Sequence, residues 1–368
     1  MKKKFSKPLP YLIQHDQFPS KVFAGWLRDT FRPLIAKRLP TVLYGGFKHD
    51  FIVKFIKKYK KEFPYFVKVD IQKFYPSCAH RHLLIEGQMA YKNLLGLKVC
   101  PKKFKDQYVQ GAQLFFDSLP ITTRGLPLNS GVSKALAPLL YIDFFLELKK
   151  QDRVKFIVYC DDIVFLAKTK ADSATVYHSF FNFLQSVSLN VQLHKVQQGA
   201  FRTTVLDYCG WRFAGGYAAV SDAKGQLFKE KISALCKTTV LTCVPSFIKK
   251  INQKINGFGH YYKYGQVKGT YEKWDAFIRQ EIRKAFKYNC RKCPTTLQLK
   301  NMGLRSLRDI WVNTKPLAAI KKEFIWQAPS KPKENHQITL FFSYLEQLIH
   351  QNAEIIGTLK KVEKLLTV

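Results

Sequence analysis

Apolar positions along the chain change period several times, and each change marks an element. Phe51, Ile52, Phe55, Ile56 and Tyr59 recur at helical spacing, with Lys54, Lys57, Lys58 and Lys61 on another face. That basic face fits either solvent or a phosphate backbone. Residues 64–71 (PYFVKVDI) are short, apolar and β-branched, which predicts a strand. Residues 80–118 keep a helical period, broken near Gly96 to Pro101. Gly125 and Pro127 mark a loop, and Ser133 to Leu148 predicts a helix. Residues 154–167 (VKFIVYCDDIVFLA) predict two strands around a tight turn, residues 172–187 a helix, and residues 204–220 further strands turning at Gly215–Gly216.

After about residue 224 helical patterns take over. Phe247, Ile248, Ile251, Ile255 and Phe258 form an apolar stripe, expected to end at Gly257 and Gly259. Residues 271–288 predict a helix with Tyr271, Trp274, Phe277, Ile278 and Ile282 inward and Arg279, Arg283 and Lys287 along its other side. Residues 328–337 read as a linker. Leu345, Leu348, Asn352, Ile355, Leu359, Val362 and Leu366 then alternate in steps of three and four. That heptad seam suits self-association through 345–366 or docking on the same chain. Residues 1–50 give no clear element.

Composition narrows the class. The chain has 61 Lys+Arg against 26 Asp+Glu, a formal charge of +35, which points to a polyanionic partner, nucleic acid being the commonest. A ribosomal or membrane-surface protein can carry the same balance. Met1 to Phe5 is basic, but Pro8 and Pro10 follow where a signal peptide needs an apolar run. No stretch of ~18 uncharged apolar residues predicts a membrane span. The eight cysteines are scattered, as free thiols would be. Cys290 and Cys293 form one CxxC, with no second pair at ligand spacing.

The chemistry lies in three acids. Asp161 and Asp162 sit side by side in the middle of an apolar hairpin. A buried unpaired charge costs several kcal/mol, on the order of magnitude, so a compensating cation is expected there. A plain turn would more naturally use Asn-Gly or Asp-Gly. Asp70 ends the apolar strand Val67-Lys68-Val69-Asp70-Ile71. Two carboxylates from different strands can hold two divalent ions about 3.5–4 Å apart. One would activate a 3′-hydroxyl and the other a triphosphate, a role that suits Mg²⁺, with Mn²⁺ as a substitute.

These residues resemble the reverse transcriptase family, whose palm carries one metal-binding Asp on a strand and a Tyr-x-Asp-Asp hairpin on the next. Asp70 and Tyr159-Cys160-Asp161-Asp162 match in order and spacing. The resemblance implies a right-hand α+β polymerase with fingers, palm, helical thumb and a C-terminal helical tail. It implies that Asp70 and Asp161 are the main metal ligands, with Asp162 accessory and Ile71 also at the metal site. Ile71, Gln72, Lys73, Phe74 and Tyr75 would face the substrate, Tyr75 as the steric gate against a ribose 2′-hydroxyl; a core aromatic is the alternative for Tyr75. Gly125-Leu126-Pro127-Leu128-Asn129-Ser130-Gly131-Val132-Ser133 resembles the template and nucleotide loop, so Pro127, Leu128, Asn129 and Ser133 would touch nucleotide, although Leu128-Asn129 stand where the family has Gln-Gly. Leu189-Asn190 with Lys195 resembles the next motif, Lys195 acting as general acid to pyrophosphate; a solvent-exposed lysine is the alternative. Cys209-Gly210-Trp211 resembles the primer grip, a plain hairpin being the alternative. Ile255 to Tyr262 with Trp274-Asp275 resembles the thumb of intron-type members. Lys54, Lys57, Lys58, Lys61, Lys249, Lys250, Arg279 and Arg283 would bind nucleic acid. Lys21, Arg28, Arg32, Lys37, Arg38 and Lys48 are candidates for the triphosphate.

The expected domains are fingers from 1–66 and 77–125, palm from 67–76 and 126–223, thumb from 224–327, and a linker plus C-terminal helix from 328–368. Partners implied are dNTP, an RNA–DNA duplex and a structured non-coding RNA, with no membrane. Among subfamilies the sequence looks most like bacterial, hence cytoplasmic, type 2 defence-associated reverse transcriptases, which copy a dedicated RNA into cDNA. A retron- or intron-type enzyme, a maturase-like RNA-binding protein with little polymerase activity, and an RNA-templated RNA polymerase are the rivals.

Overall fold

The computed structural model describes residues 18–44, 49–119, 123–128, 130–214, 217–238, 243–291 and 293–313. The predicted heptad seam, Lys48, Asn129 and the Gly215–Gly216 turn lie outside them, as does the side chain of Cys290. The elements in order are α1 (Phe18–Arg38), α2 (His49–Tyr59), β1 (Tyr65–Asp70), α3 (Phe74–Ser77), α4 (His80–Leu95), α5 (Lys102–Asp117), α6 (Gly131–Leu136), α7 (Ile142–Leu148), β2 (Val154–Tyr159), β3 (Asp162–Ala167) and α8 (Lys170–Ser186). Then follow β4 (Gln197–Ala200), β5 (Leu206–Tyr208), β6 (Trp211–Ala214), β7 (Tyr217–Val220), α9 (Asp222–Thr238), α10 (Val244–Tyr262), α11 (Lys268–Cys290), α12 (Thr296–Asn301) and α13 (Leu307–Val312).

The central antiparallel sheet has order β2-β3-β1-β4, and β5-β6-β7 form a second, three-stranded sheet. The central sheet is covered on both faces, which explains why β1, β2 and β3 read as near-continuous apolar runs. Successive side chains point to opposite faces. Val67, Val69, Phe156, Val158, Ile163 and Phe165 enter a core shared with α1 and α4–α8. Phe66, Ile157, Val164 and Leu166 enter a second core with α2, β5–β7 and α9–α13. Position 68 belongs to this second face, and so does Asp70, where the apolar covering ends.

Three expectations need correction. The predicted helix over 133–148 is interrupted. Pro138 stands in a 3₁₀ turn over Ala137–Tyr141 between α6 and α7, because proline cannot donate the helical hydrogen bond. α10 does not end at Gly257 and Gly259 but continues to Tyr262. Gly259 serves packing: a Cβ there would lie 2.8 Å from Ile310 of α13. Finally, residues 18–38 form a 21-residue helix where the sequence showed no clear element, its aromatic and basic residues and internal Pro33 obscuring the period. The strand β4 (QQGA) was missed because it is polar; it pairs at the sheet edge with β1.

Candidate active site

Asp70 closes β1 opposite Asp162, the first residue of β3. One turn joins β2 to β3, with Tyr159 paired to Asp162 and Cys160 held at φ 53°. The backbone N–H of Ile71 donates to the Asp161 carbonyl at 3.1 Å, fastening the turn to the end of β1. The Tyr141 hydroxyl donates to the Cys160 carbonyl at 3.0 Å from beneath. Asp70, Asp161 and Asp162 therefore line one cavity of about 920 Å³.

The carboxylates are not equivalent. Asp70 lies 3.3 Å from the Lys195 ammonium through both its oxygens. Lys195 is delivered there by the segment before it: Gln72 N–H donates to the Asn190 carbonyl and Gln192 N–H to the Asp70 carbonyl, both at 2.8 Å. Burial raises Asp161 above the ordinary carboxylate range, and the negative charge of Asp70 adds to the rise. Burial pushes Asp162 up to about 6, opposed by Lys68 and by the backbone N–H of Cys209. Desolvation disfavours the ionised form in this way until a cation compensates.

The residues fit a divalent metal. Asp162 Oδ1 is buried and accepts no hydrogen bond, with the Lys68 ammonium 3.4 Å away, and the three acids offer hard oxygen donors of the kind Mg²⁺ takes alongside waters and phosphate oxygens. Among the described residues no three His, Cys, Asp or Glu side chains form a ready-made metal cage. The acids share a cavity rather than a closed ligand set.

Around this centre the structure brings some predicted residues together and leaves others out. Tyr75 is half-buried beside the turn and hydrogen-bonds the Cys160 side chain; burial raises its hydroxyl. Leu126 N–H donates to the Tyr75 carbonyl at 2.9 Å, so the loop carrying exposed Pro127 and Leu128 lies next to Tyr75. Gln72 and Lys73 are exposed, Lys73 in the left-handed region at φ 44°. Phe74 is a core ring, stacked on Tyr141, and Ser133 is fully buried in α6; neither side chain lines the cavity. The Ile71 side chain is likewise buried, leaving its backbone as the group near the acids.

Cys209 and Gly210 form the β5–β6 turn and line the cavity, with the Cys209 thiol 3.7 Å from Asp162 Oδ2. Trp211 is fully buried against Tyr261 and Tyr262; its ring packs beneath the turn and does not line the cavity. Lys54 is paired with Asp50 at 2.6 Å. Lys57 is lowered by burial, Lys58 lies over the Tyr59 ring, and Lys61 is exposed. Arg283 is used internally, donating to the Pro294 carbonyl and Thr296 Oγ1. Lys249, Lys250 and Arg279 stand outside the cavity lining. Lys21, Arg28, Arg32, Lys37 and Arg38 lie on α1. Arg28 and Arg38 donate to the Ala24 and Leu94 carbonyls.

The cavity lining contains Lys68, Lys224, Lys231 and Lys254, which sequence reasoning passed over. Their signals were present. Lys68 stands two residues before Asp70, hence on the same strand face. Lys224 and Lys231 are seven apart on α9, two helical turns.

A strand-end acid facing a two-acid hairpin turn, on an antiparallel sheet flanked by helices, defines the right-hand polymerase class. The sequence profile for reverse transcriptase (RNA-dependent DNA polymerase) matches residues 20–213, more than half of the chain. The chain belongs to that family. The profile of the group II intron maturase-specific domain matches residues 226–303. The comparison with curated proteins returns no match. Among solved structures the chain is similar to apo telomerase from Candida tropicalis, at 12% identity and TM-score 0.47 over 73% of this chain and 50% of that one. It is also similar to telomerase from Candida albicans in complex with a telomeric RNA fragment, at 13% identity and TM-score 0.38 over 80% of this chain and 55% of that one. The chain spans about half the length of these structures.

Proposed function

We propose that this protein is an RNA-templated DNA polymerase that adds dNTPs to a primer 3′-hydroxyl. The observation that carries the reading is the pairing of Asp70 with Asp162 across β1 and β3, with Asp161 in the same cavity. Asp70 and Asp161 would hold two Mg²⁺ ions, with Asp162 accessory and the Ile71 carbonyl a further oxygen. Bound there, the metal supplies charge stabilisation and a more acidic 3′-hydroxyl. The chain's own residues do the rest. Tyr75 limits room at the sugar, and Lys195 donates a proton toward the departing pyrophosphate. Cys209 and Gly210 approach the primer end. Lys224, Lys231 and Lys254 neutralise duplex phosphates along the cavity wall. Residues 1–66 and 77–125 act as fingers, 67–76 and 126–223 as palm, and 224–327 as thumb.

The experiment is Mg²⁺-dependent dNTP incorporation on a primed RNA template. Asp161→Asn is expected to lower it by about 10³-fold or more, the order seen when a reacting-centre electrostatic group is lost, with the fold intact by thermal melting. Equal activity of variant and wild type overturns the reading. As its finer form, we propose that the enzyme copies a dedicated structured RNA into cDNA in antiphage defence, supported by the Tyr-Cys-Asp-Asp box and by Leu128-Asn129 after the loop proline. Sequencing RNA and cDNA copurified from the host tests this: a defined RNA with complementary cDNA is expected, and no enriched RNA overturns it. The maturase-specific match over 226–303 favours a second reading, an RNA-binding maturase with little synthesis. Asp161→Ala with Asp162→Ala separates the two, because RNA binding without any acid-dependent synthesis is the maturase outcome.

A further inference from the structure

Lys68 has no part in the chemistry described so far, yet it sits inside the site. It is the one charged residue in the interior of β1, flanked by Val67 and Val69, both fully buried. Its own side chain is 14% exposed. An ammonium that far out of water needs a partner or a purpose. It points along the strand face that ends in Asp70, and its Nζ lies 3.4 Å from Asp162 Oδ1 on the neighbouring strand. That oxygen has no hydrogen bond of its own. The other oxygen, Oδ2, faces the Cys209 thiol at 3.7 Å, and the Tyr208 hydroxyl donates to the Asp162 backbone carbonyl at 3.1 Å. Asp162 is thus held by protein groups from β1 and β5 and from the β5–β6 turn. Asp161, one residue earlier, lines the same cavity and feels the charges of Lys195 and Lys68.

We propose that Lys68 is a positioning residue: a fixed cation that anchors the Asp162 carboxylate and thereby sets the orientation of the turn that presents Asp161. The two cations of the site then divide the work. Lys195 is 48% exposed and rests on Asp70. Lys68 lines the cavity and is 14% exposed, much less than Lys195. Its charge offsets the acid it touches, as Lys195 offsets Asp70, and leaves Asp161 as the acid without a lysine in ion-pair contact among the described residues. The alternative is that the ion pair serves folding alone, balancing a buried acid with a buried base.

The inference rests on the polymerase reading, and a double-mutant cycle tests it on the full chain. Wild type, Lys68→Met, Lys68→Arg, Asp162→Asn and Lys68→Met with Asp162→Asn are compared in single-turnover addition of one dNTP to a prebound primer–template. Thermal melting and primer–template affinity are measured in parallel. Lys68→Met is expected to slow addition by roughly 10-fold or more while the KM for dNTP moves less than about 3-fold, as for a group acting on the reacting geometry. Lys68→Arg is expected to regain most of the rate. In the Asp162→Asn background Lys68→Met is expected to add less than about 2-fold, because residues that act through one another are not additive. A Lys68→Met enzyme as fast as wild type overturns the proposal. So does the same fold-loss in both backgrounds, or a loss that follows melting alone with no rescue by arginine. If wild type itself incorporates no dNTP, the polymerase reading has failed instead.

Discussion

Two turns of the chain begin with the same dipeptide and meet at the same cavity. Tyr159-Cys160-Asp161-Asp162 joins β2 to β3, and Tyr208-Cys209-Gly210-Trp211 joins β5 to β6. In each, the first and fourth residues pair across the hairpin, and the cysteine is left-handed, at φ 53° in one and 48° in the other. In each, the cysteine carbonyl accepts from a tyrosine hydroxyl, Tyr141 at 3.0 Å and Tyr261 at 2.6 Å. The third position separates them. Gly210 is left-handed as well, at φ 81°, giving the two successive positive angles that favour glycine in a hairpin. The other turn has Asp161 there and no glycine at all. A left-handed L-residue costs about 1–2 kcal/mol; both turns bear it at the cysteine, and only the first adds buried acids to it. The same backbone device has been used once for close approach and once to present a carboxylate.

The comparison breaks most visibly by exchanging what each turn tolerates. Gly210→Ala puts a Cβ 2.6 Å from the hydroxyl of buried Tyr262 in a left-handed position. It is expected to cost about 2 kcal/mol or more in chemical denaturation, the sum of backbone strain and overpacking. Cys160→Gly relieves a left-handed residue instead, and its stability is expected to stay within about 1 kcal/mol of wild type. Equal losses from the two substitutions would show that the turns are not built on different terms.

How far the sequence revealed these turns follows from the same physics. The hairpin over 154–167 was legible because two acids inside an apolar run have no cheap explanation other than a cation. Asp70 was legible because it ends a strand at the right distance from that pair. The role of Trp211 was not legible. A tryptophan after Cys-Gly reads equally well as ligand contact or as support, and only its packing against Tyr261 and Tyr262 decides for support. The internal use of Arg283 was not legible for a related reason: a basic stripe on α11 gives no sign that the chain returns and that Pro294 and Thr296 accept from the guanidinium. Lys68 was overlooked because one lysine in a chain of charge +35 carries little information until its neighbour is known.

A pH series sharpens the contrast between the acid turn and the glycine turn. Burial holds the Asp162 carboxyl up at about 6, above the ordinary value of about 3.9. The folded chain therefore binds that proton more tightly than the unfolded chain. The resulting stability is fully present below the ordinary carboxylate range and is lost as pH rises through about 6. Asp162→Asn removes this linkage. In chelator-containing buffer, the melting midpoint of Asp162→Asn relative to wild type is expected to rise from about pH 4 to pH 7. The corresponding difference for Gly210→Ala is expected to stay flat. A flat difference for both would mean that the acid turn stores no proton-linked energy.

The smallest and most discriminating effect concerns the two tyrosine hydroxyls. Tyr141→Phe and Tyr261→Phe each strip the donor from a cysteine carbonyl at the corresponding turn, and each is expected to cost about 1 kcal/mol of stability. Their functional consequences should differ, because the turns carry different loads. Tyr141 lies fully buried beneath Cys160, so its loss loosens the residue just before Asp161, and single-nucleotide addition is expected to slow by roughly 10-fold, about 1.4 kcal/mol of barrier. Tyr261 stands on α10 and ties the β5–β6 turn to the helical region after residue 224. Its loss is expected to leave single addition within about 3-fold of wild type and to shorten products, as primer and duplex are held less firmly through successive additions. Single-turnover rates and product-length distributions from one primed template read both effects together. If the two variants give the same rate and the same product lengths, the turns act as one rigid unit, and the division between presenting the acid and holding the primer is wrong.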